Sequence, residues 1–186
     1  MEILTPNKTS SCDDLDVWRA FKGGDALAYA DLYERYVVVL YQYAFGITGK
    51  VDATKGCVQD LFIELWKNKS ELEEPESVRN YLLKSIRRKA IRLSGIHRLR
   101  RAACGHEGEY LDSQQTDTRL DEALRLRRTL LRNAACGLSS PQLEAAFLKF
   151  FGKLSNPDIS AIMNISVSAV HNLISHAVCN RNARKS

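Results

Sequence analysis

Hydrophobic residues in the N-terminal half of the chain recur in steps of three and four, which is the spacing of helices that each bury one face. This pattern predicts a short helix over DDLDVWRAFK and longer ones over about Asp25–Gly49, Ala53–Asn68 and Glu76–Ser94. Glycines or a proline-containing loop separate these segments, as expected at helix ends. Strand-like alternation is scarce, so the sequence predicts an all-α protein.

The C-terminal segment SNPDISAIMNISVSAVHNLISHAV predicts two short amphipathic helices with only NIS between them. We expect Asn156 to cap the first helix, Asn164 to adopt the left-handed conformation of a tight turn, and Ser166 to cap the second helix. Apolar residues would hold the two helices at a steep angle, which is the helix-turn-helix pattern. A plain helical hairpin inside a bundle is the alternative interpretation.

Short polar side chains would occupy the exposed face of the second helix, where they can reach base edges in a major groove. Asparagine suits adenine, whereas serine and histidine are less selective. The residues that we expect to contact DNA here are Ser166, Ser168, Ala169, His171, Asn172, Ser175 and His176. None of them is Lys or Arg, although phosphate contacts supply much of the affinity for DNA.

Basic residues are concentrated in the fourth predicted helix and just beyond it. Residues 77–101 include nine Lys or Arg and no acid. The side chains that we expect on a nucleic-acid face of this helix are Tyr81, Lys84, Arg87, Arg88 and Arg92. Like charges at four-residue spacing repel one another, whereas a phosphate backbone would attract them and the aromatic ring suits an unstacked base. A solvated surface is the plainer interpretation.

A change in composition marks the next part of the chain. Residues 102–118 include four acids and no Lys or Arg, and Gly, Ser, Gln and Thr are frequent. This composition predicts an acidic linker at 99–118 between two small helical domains at 13–98 and 119–186. Residues 1–12 are expected to form a disordered N-terminal tail.

Composition also narrows the class of protein. The five cysteines are dispersed without a C-x-x-C pair, which favours reduced thiols in the cytoplasm and predicts no metal site. The most apolar run, Val37–Thr48, is too short to cross a bilayer, so we expect no stable membrane insertion. The sequence contains no Gly-rich phosphate loop, paired catalytic carboxylates or activated nucleophile. We therefore expect neither an enzyme nor a cofactor.

These features together resemble a bacterial RNA polymerase sigma factor of the extracytoplasmic-function (ECF) group. The segments VWRAFKGGDALAYADLYERYVVVLYQYAFGITG, VQDLFIELWKNK and SVRNYLLKSIRRKAIRL are similar to region 2 of that family, in order and in spacing. The segment LSNPDISAIMNISVSAVHNLISHAV is similar to region 4. The resemblance covers nearly the whole chain except the first dozen residues and the linker.

The resemblance implies a role for each part of the chain. Region 2 would dock on the β′ clamp helices of core RNA polymerase through Gln59, Asp60 and Trp66. The basic helix would melt the −10 element of promoter DNA and capture a flipped base of the non-template strand. Region 4 would read the −35 element and touch the β flap, while the linker passes through the RNA exit channel. An anti-sigma factor is a further partner that the sequence leaves open.

Two other classes of function stay open at this stage. One is a stand-alone helix-turn-helix transcriptional regulator whose N-terminal domain is regulatory. The other is a divergent protein-interaction module that no longer binds DNA. The segment VQDLFIELW ahead of a basic helix favours the sigma factor, because a stand-alone regulator has no need of it.

Overall fold

Helices make up the ordered elements of residues 11–104 and 138–182, the parts of the chain that the computed structural model describes. The N-terminal unit comprises α1 (Ser11–Lys22), α2 (Ala26–Thr48), α3 (Val51–Lys67) and α4 (Val78–Cys104). The C-terminal unit comprises α5 (Ser140–Ala146), a π-helical turn (Phe147–Phe151), α6 (Asn156–Met163) and α7 (Val167–Asn182). The all-α fold class predicted from the sequence is confirmed.

Two predicted boundaries differ from the observed ones. The first helix begins at Ser11, inside the segment expected to be a disordered tail. The fourth continues to Cys104 instead of ending near Ser94, so the first residues of the expected linker are helical. The rest of that linker and the start of the domain predicted from residue 119 lie outside the described residues.

Caps at both ends fix the extent of α2, the most apolar long helix. The Asp25 carboxylate accepts hydrogen bonds from the backbone N–H groups of Leu27 and Ala28, at 2.8 and 3.4 Å. Gly49 ends the helix in the left-handed region, with φ at +67°, where glycine carries no steric penalty. Within the described part of the chain, no helix combines the length and hydrophobicity needed to cross a bilayer.

An aromatic cluster packs the helices of the N-terminal unit together. Trp18 and Phe21 of α1 are completely buried. The ring of Phe21 lies 5.9 Å from that of Tyr29 and 6.5 Å from that of Trp66, between ring centroids. The Tyr29 hydroxyl donates a hydrogen bond to the carbonyl of Phe62. One cluster therefore joins α1, α2 and α3 and fixes the orientation of α3.

Helices α6 and α7 form the predicted helix-turn-helix. Asn164 adopts the left-handed conformation, with φ at +57°, and the Ser166 hydroxyl accepts a hydrogen bond from the N–H of Ala169 at 3.2 Å. The prediction that Asn156 caps α6 is wrong, because Ser155 holds that position. Ser155 and Asp158 exchange side-chain to backbone hydrogen bonds and satisfy two helix-end donors, which makes Ser155 the better cap.

A π-helical turn connects α5 to the helix-turn-helix. The Gly152 N–H donates to the carbonyl of Phe147 at 3.0 Å, which closes the wider turn. A Cβ atom on Gly152 would lie 2.4 Å from the carbonyl oxygen of Leu148. Only glycine fits there without a shift of the backbone. The sequence predicts a continuous helix over SPQLEAAFLKFF and does not reveal this turn.

The two helical units pack directly against each other. Helix α5 contacts α2, and α6 contacts α4. The ring of Tyr43 is buried and stacks on that of Phe147, with centroids 5.7 Å apart and planes 11° from parallel. Buried apolar residues of both units belong to one continuous core.

Candidate nucleic-acid interface

A pocket of about 320 Å³ opens between α3, α4 and the loop that joins them. Leucines form its apolar wall: Leu61, Leu65 and Leu72. Helix α4 supplies other lining residues, which include three of the five side chains predicted to face nucleic acid: Tyr81, Arg88 and Arg92. The pocket therefore combines an apolar wall, an aromatic ring and cationic side chains.

Positive charge dominates this pocket. Lys89 forms an ion pair with Glu64 at its edge, so these two charges largely cancel. Arg88 and Arg92 are exposed and form no ion pair with any residue that the structure describes. Two guanidinium groups are thus left to attract an anion.

Helix α1 holds both the aromatic wall of the pocket and the loop beside it. The ring of Trp18 lies edge-on against Tyr81, and its indole N–H donates to the carbonyl of Glu73 at 3.3 Å. Arg19 donates two hydrogen bonds to the Glu74 carboxylate, at 2.9 and 2.6 Å. The bond from Arg19 lowers the pKa of Glu74. These contacts tie the loop at 68–77 to α1.

The other two predicted cations of α4 lie outside the pocket and differ from each other. Lys84 is exposed to solvent. The side chain of Arg87 instead points to the C-terminal unit, where its Nε donates to Oε1 of Glu144 at 2.6 Å. Burial alone would lower the pKa of Arg87, but the hydrogen bond and charge of Glu144 outweigh it and raise the pKa.

Glu144 receives a second donor from the N-terminal unit. The Tyr43 hydroxyl donates to Oε1 of Glu144 at 2.6 Å. Burial raises the pKa of Tyr43, and the neighbouring Glu144 charge raises it further. A second polar contact between the units joins the Asn80 side-chain N–H to Oδ1 of Asp158, at 2.7 Å. Sequence reasoning missed these residues, because no local pattern indicates contacts between positions so far apart in the chain.

The residues predicted to contact core polymerase separate into two environments on α3. Gln59 and Asp60 are exposed, next to an exposed apolar side chain, Ile63. Trp66 is half-buried in the aromatic cluster, and the ammonium of Lys69 lies 4.3 Å from its ring centroid. Gln59 and Asp60 therefore lie on the exposed surface of α3, whereas Trp66 is held within the aromatic cluster.

Most of the residues predicted to contact DNA in region 4 are open to solvent. Four exposed ones lie on helix α7: Ser168, His171, Asn172 and His176. Ala169 and Ser175 are half-buried, and the exposed Ser166 uses its hydroxyl as the helix cap. The exposed side chains recur every three or four residues and so share one face of α7.

Comparisons with known proteins find similarity in one segment of the sequence and in the fold. Residues 32–103 match the family model described as Sigma-70 region 2. No curated protein matches the sequence. The structure is similar to that of CnrH in complex with the cytosolic domain of CnrY, with 23% identity, a TM-score of 0.65, and coverage of 91% of this chain and 95% of that chain.

A second solved structure shares the fold. It is the sigma factor RpoE in complex with the anti-sigma factor NepR from Bartonella quintana, with 20% identity, a TM-score of 0.55, and coverage of 80% of this chain and 91% of that chain. The matched segment 32–103 contains α3, most of α2 and all but the last residue of α4; α3 and α4 line the pocket, and α3 carries the surface around Gln59. Residues 32–103 therefore match Sigma-70 region 2 in sequence, and the chain shares its fold with these two solved structures.

Proposed function

We propose that this chain directs core RNA polymerase to promoters, and that the pocket between α3 and α4 captures one flipped base of the −10 element. The single observation that carries the proposal is the composition of this pocket. Its volume of about 320 Å³ is at the lower end of the range for small-molecule sites, as suits one nucleotide unit. Its leucine wall can pack against a base, and Tyr81 offers a ring for stacking.

The charge of the pocket supports binding of an unpaired strand. Flipping a base costs a few kcal/mol, which new contacts must offset. Arg88 and Arg92 at the pocket, with Lys84 exposed on the same helix, supply positive charge for the phosphates on either side of the base. Arg88 and Arg92 form no ion pair with the described residues, so neither has to break one before it binds phosphate.

Helix α7 would read the −35 element in the major groove. Asn172 is its most selective side chain, because a carboxamide can form two hydrogen bonds with adenine. The exposed His171 and His176 flank it on the same face. The helix carries little positive charge on this face, so region 4 alone would bind duplex DNA weakly.

Protein partners follow from the same assignment. The exposed surface of Gln59, Asp60 and Ile63 on α3 would dock on the β′ clamp helices of core polymerase, and the C-terminal unit would contact the β flap. The protein would act in the cytoplasm without catalysing a reaction of its own. Because RpoE was solved with an anti-sigma factor, a protein of that class is a further partner for this chain.

The proposal is tested with holoenzyme reconstituted from core polymerase and the purified chain. Unpaired thymines near a start site are detected with permanganate. The double variant Lys84→Ala with Arg88→Ala should reduce promoter opening about tenfold or more while core binding is retained. Losing two phosphate contacts to an unpaired strand should also reduce the slope of log affinity against log salt by about 1.4. Lys50→Ala, which removes an exposed lysine that does not line the pocket, is the control.

The results distinguish this function from the alternatives. If the chain does not associate with core polymerase, a stand-alone regulator is the better explanation. If it associates but the double variant loses core binding and opening equally, α4 does not have the assigned role.

A further inference from the structure

Several polar groups of the pocket between α3 and α4 have no protein partner. Among the described residues, the Tyr81 hydroxyl, the Asn68 carboxamide and the Ser85 hydroxyl line the pocket without a side-chain hydrogen bond. The pocket opens to solvent between two helices of one chain, so a small molecule can reach these groups. They can therefore bind a ligand without first breaking a contact within the protein.

Three cationic side chains of α4 line the same pocket. Arg88 and Arg92 lie one helical turn apart, are exposed, and form no ion pair with a described residue. The side chain of Lys89 is only 13% exposed and forms an ion pair with Glu64, whose side chain is 57% exposed. An anion in the pocket can therefore bind both guanidinium groups and compete with Glu64 for the Lys89 ammonium.

A free nucleotide has two advantages over a nucleotide of a DNA strand at such a site. Its terminal phosphate carries a charge of about −1.5 to −2 at neutral pH, whereas each phosphate of a strand carries a single negative charge. Its base is neither paired nor stacked on neighbours, so binding incurs no cost of flipping. The groups of this pocket therefore suit a free nucleotide at least as well as a strand.

We infer that the pocket is a binding site for a free nucleoside 5′-phosphate, which competes there with the promoter strand. The base packs on the leucine wall and the Tyr81 ring, and the phosphate binds Arg88, Arg92 and the Lys89 ammonium released from Glu64. The volume of about 320 Å³ suits a ligand with one base. The competition rests on the proposed function, whereas nucleotide binding itself does not.

Equilibrium dialysis of the full-length chain against radiolabelled adenosine 5′-monophosphate (AMP) tests the site. We expect saturable binding of one AMP per chain, with a dissociation constant below about 1 mM. Adenosine lacks the phosphate and inorganic phosphate lacks the base, so each should displace AMP at least about tenfold less effectively than unlabelled AMP does. Equal displacement by inorganic phosphate would reveal a plain anion site and overturn the nucleotide assignment.

Two substitutions should change the affinity for AMP in opposite directions. Arg88→Ala should weaken binding about tenfold, because it removes a charged hydrogen-bond donor. Glu64→Gln should strengthen binding about three- to fivefold, because it releases Lys89 and removes a carboxylate beside the phosphate. A folding defect would not produce such a gain. Lys50→Ala and Glu34→Gln, which remove exposed charges that do not line the pocket, are the matched controls.

Promoter opening by reconstituted holoenzyme tests the competition. AMP should reduce the permanganate reactivity of thymines near the start site, because it occupies the pocket that the flipped base needs. Half-inhibition should require about three- to fivefold less AMP for Glu64→Gln than for the wild type. Effects of AMP on nucleotide sites of the polymerase itself are common to both holoenzymes, so this shift reports on the pocket.

The results separate the two parts of the inference. No saturable binding of AMP up to about 10 mM, or equal affinities of the wild type and both pocket variants, would overturn the site. Binding of AMP without the shift in half-inhibition would overturn the competition alone. If wild-type holoenzyme opens no promoter, the proposed function and the competition fail together, whereas the dialysis result stands.

Discussion

The ring of Tyr81 lies edge-on against Trp18, with 5.3 Å between the ring centroids. Trp18 also donates a hydrogen bond to the carbonyl of Glu73, in the loop between α3 and α4. Trp18 is completely buried and does not line the pocket itself. It nevertheless positions both the Tyr81 ring in the pocket and the loop beside it. The short first helix thus helps to position the pocket, although none of its residues is predicted to contact DNA.

Truncating Trp18 should destabilise the N-terminal unit. We expect Trp18→Ala to lower the free energy of unfolding by about 3–5 kcal/mol, because it leaves a large cavity. Trp18→Phe keeps most of the volume and should lose about 1 kcal/mol for the missing hydrogen bond to Glu73. Urea unfolding followed by circular dichroism measures both. Equal losses for the two variants would contradict the role of cavity formation.

A pair of glycines offers a matched test of the π-helical turn. Gly152→Ala should lower stability by about 1–3 kcal/mol, because its Cβ would collide with the backbone of Leu148. Gly56→Ala in α3 meets no atom within 4 Å and should raise stability by about 0.5–1 kcal/mol through helix propensity. Urea unfolding of both variants checks the prediction. A neutral Gly152→Ala would show that the turn relaxes easily.

Asn172→Ala should change which −35 sequences the holoenzyme selects. Losing two hydrogen bonds to one adenine should reduce discrimination at that base pair about tenfold. Selection from a randomised promoter pool measures the preference at every position. Val178→Ala, an exposed truncation further along α7, should leave the preferences unchanged. Identical selected sequences for the wild type and Asn172→Ala would count against base reading at this residue.

The exposed residues of α3 should matter for core polymerase more than the half-buried Trp66 does. We expect Gln59→Ala with Asp60→Ala to weaken core binding about tenfold, with little change in stability. Trp66→Ala should lower stability by about 2 kcal/mol, because it removes a side chain from the aromatic cluster. Trp66→Phe should leave the affinity for core unchanged. Fluorescence titration with core polymerase, alongside urea unfolding, separates the two effects.

The Tyr43 hydroxyl predicts a loss of stability at high pH. Burial raises its pKa above the ordinary value of about 10. Above pH 10 the unfolded chain loses this proton while the folded chain keeps it, so the stability contributed by Tyr43 is complete below pH 10 and declines as pH rises towards the raised pKa. The advantage of the wild type over Tyr43→Phe should therefore shrink by roughly 1 kcal/mol per pH unit above 10. An advantage that stays constant between pH 9 and 11 would contradict this.

Local patterns in the sequence predicted a large part of the fold. The three- and four-residue spacing of apolar residues predicts the helices. The conformational preferences of Asp25, Gly49 and Asn164 predict helix ends and a tight turn, which the structure confirms. The cap of α6 was misplaced by one residue, because a reciprocal pair between Ser155 and Asp158 competes with the single cap expected of Asn156. Which residue caps the helix depends on the local backbone geometry, which the composition of the segment does not reveal.

The pocket lining was predictable on one face of α4, whereas the contacts of its other face were not. Helical spacing places Tyr81, Arg88 and Arg92 together, and all three line the pocket. The same reasoning treated Arg87 as one more DNA-facing cation, because its partner Glu144 lies 57 residues away in sequence. Contacts at such separation depend on how two helical units pack, which periodicity within each helix does not determine.

The ion pair between Arg87 and Glu144 has a thermodynamic consequence, because it joins the two helical units. A ligand that binds tenfold more tightly to the packed arrangement of the units must strengthen that packing by up to the same factor. A ligand that needs the units apart binds more weakly by the free energy that separation costs. One substitution at this contact would therefore change the affinities of both kinds of ligand, in opposite directions.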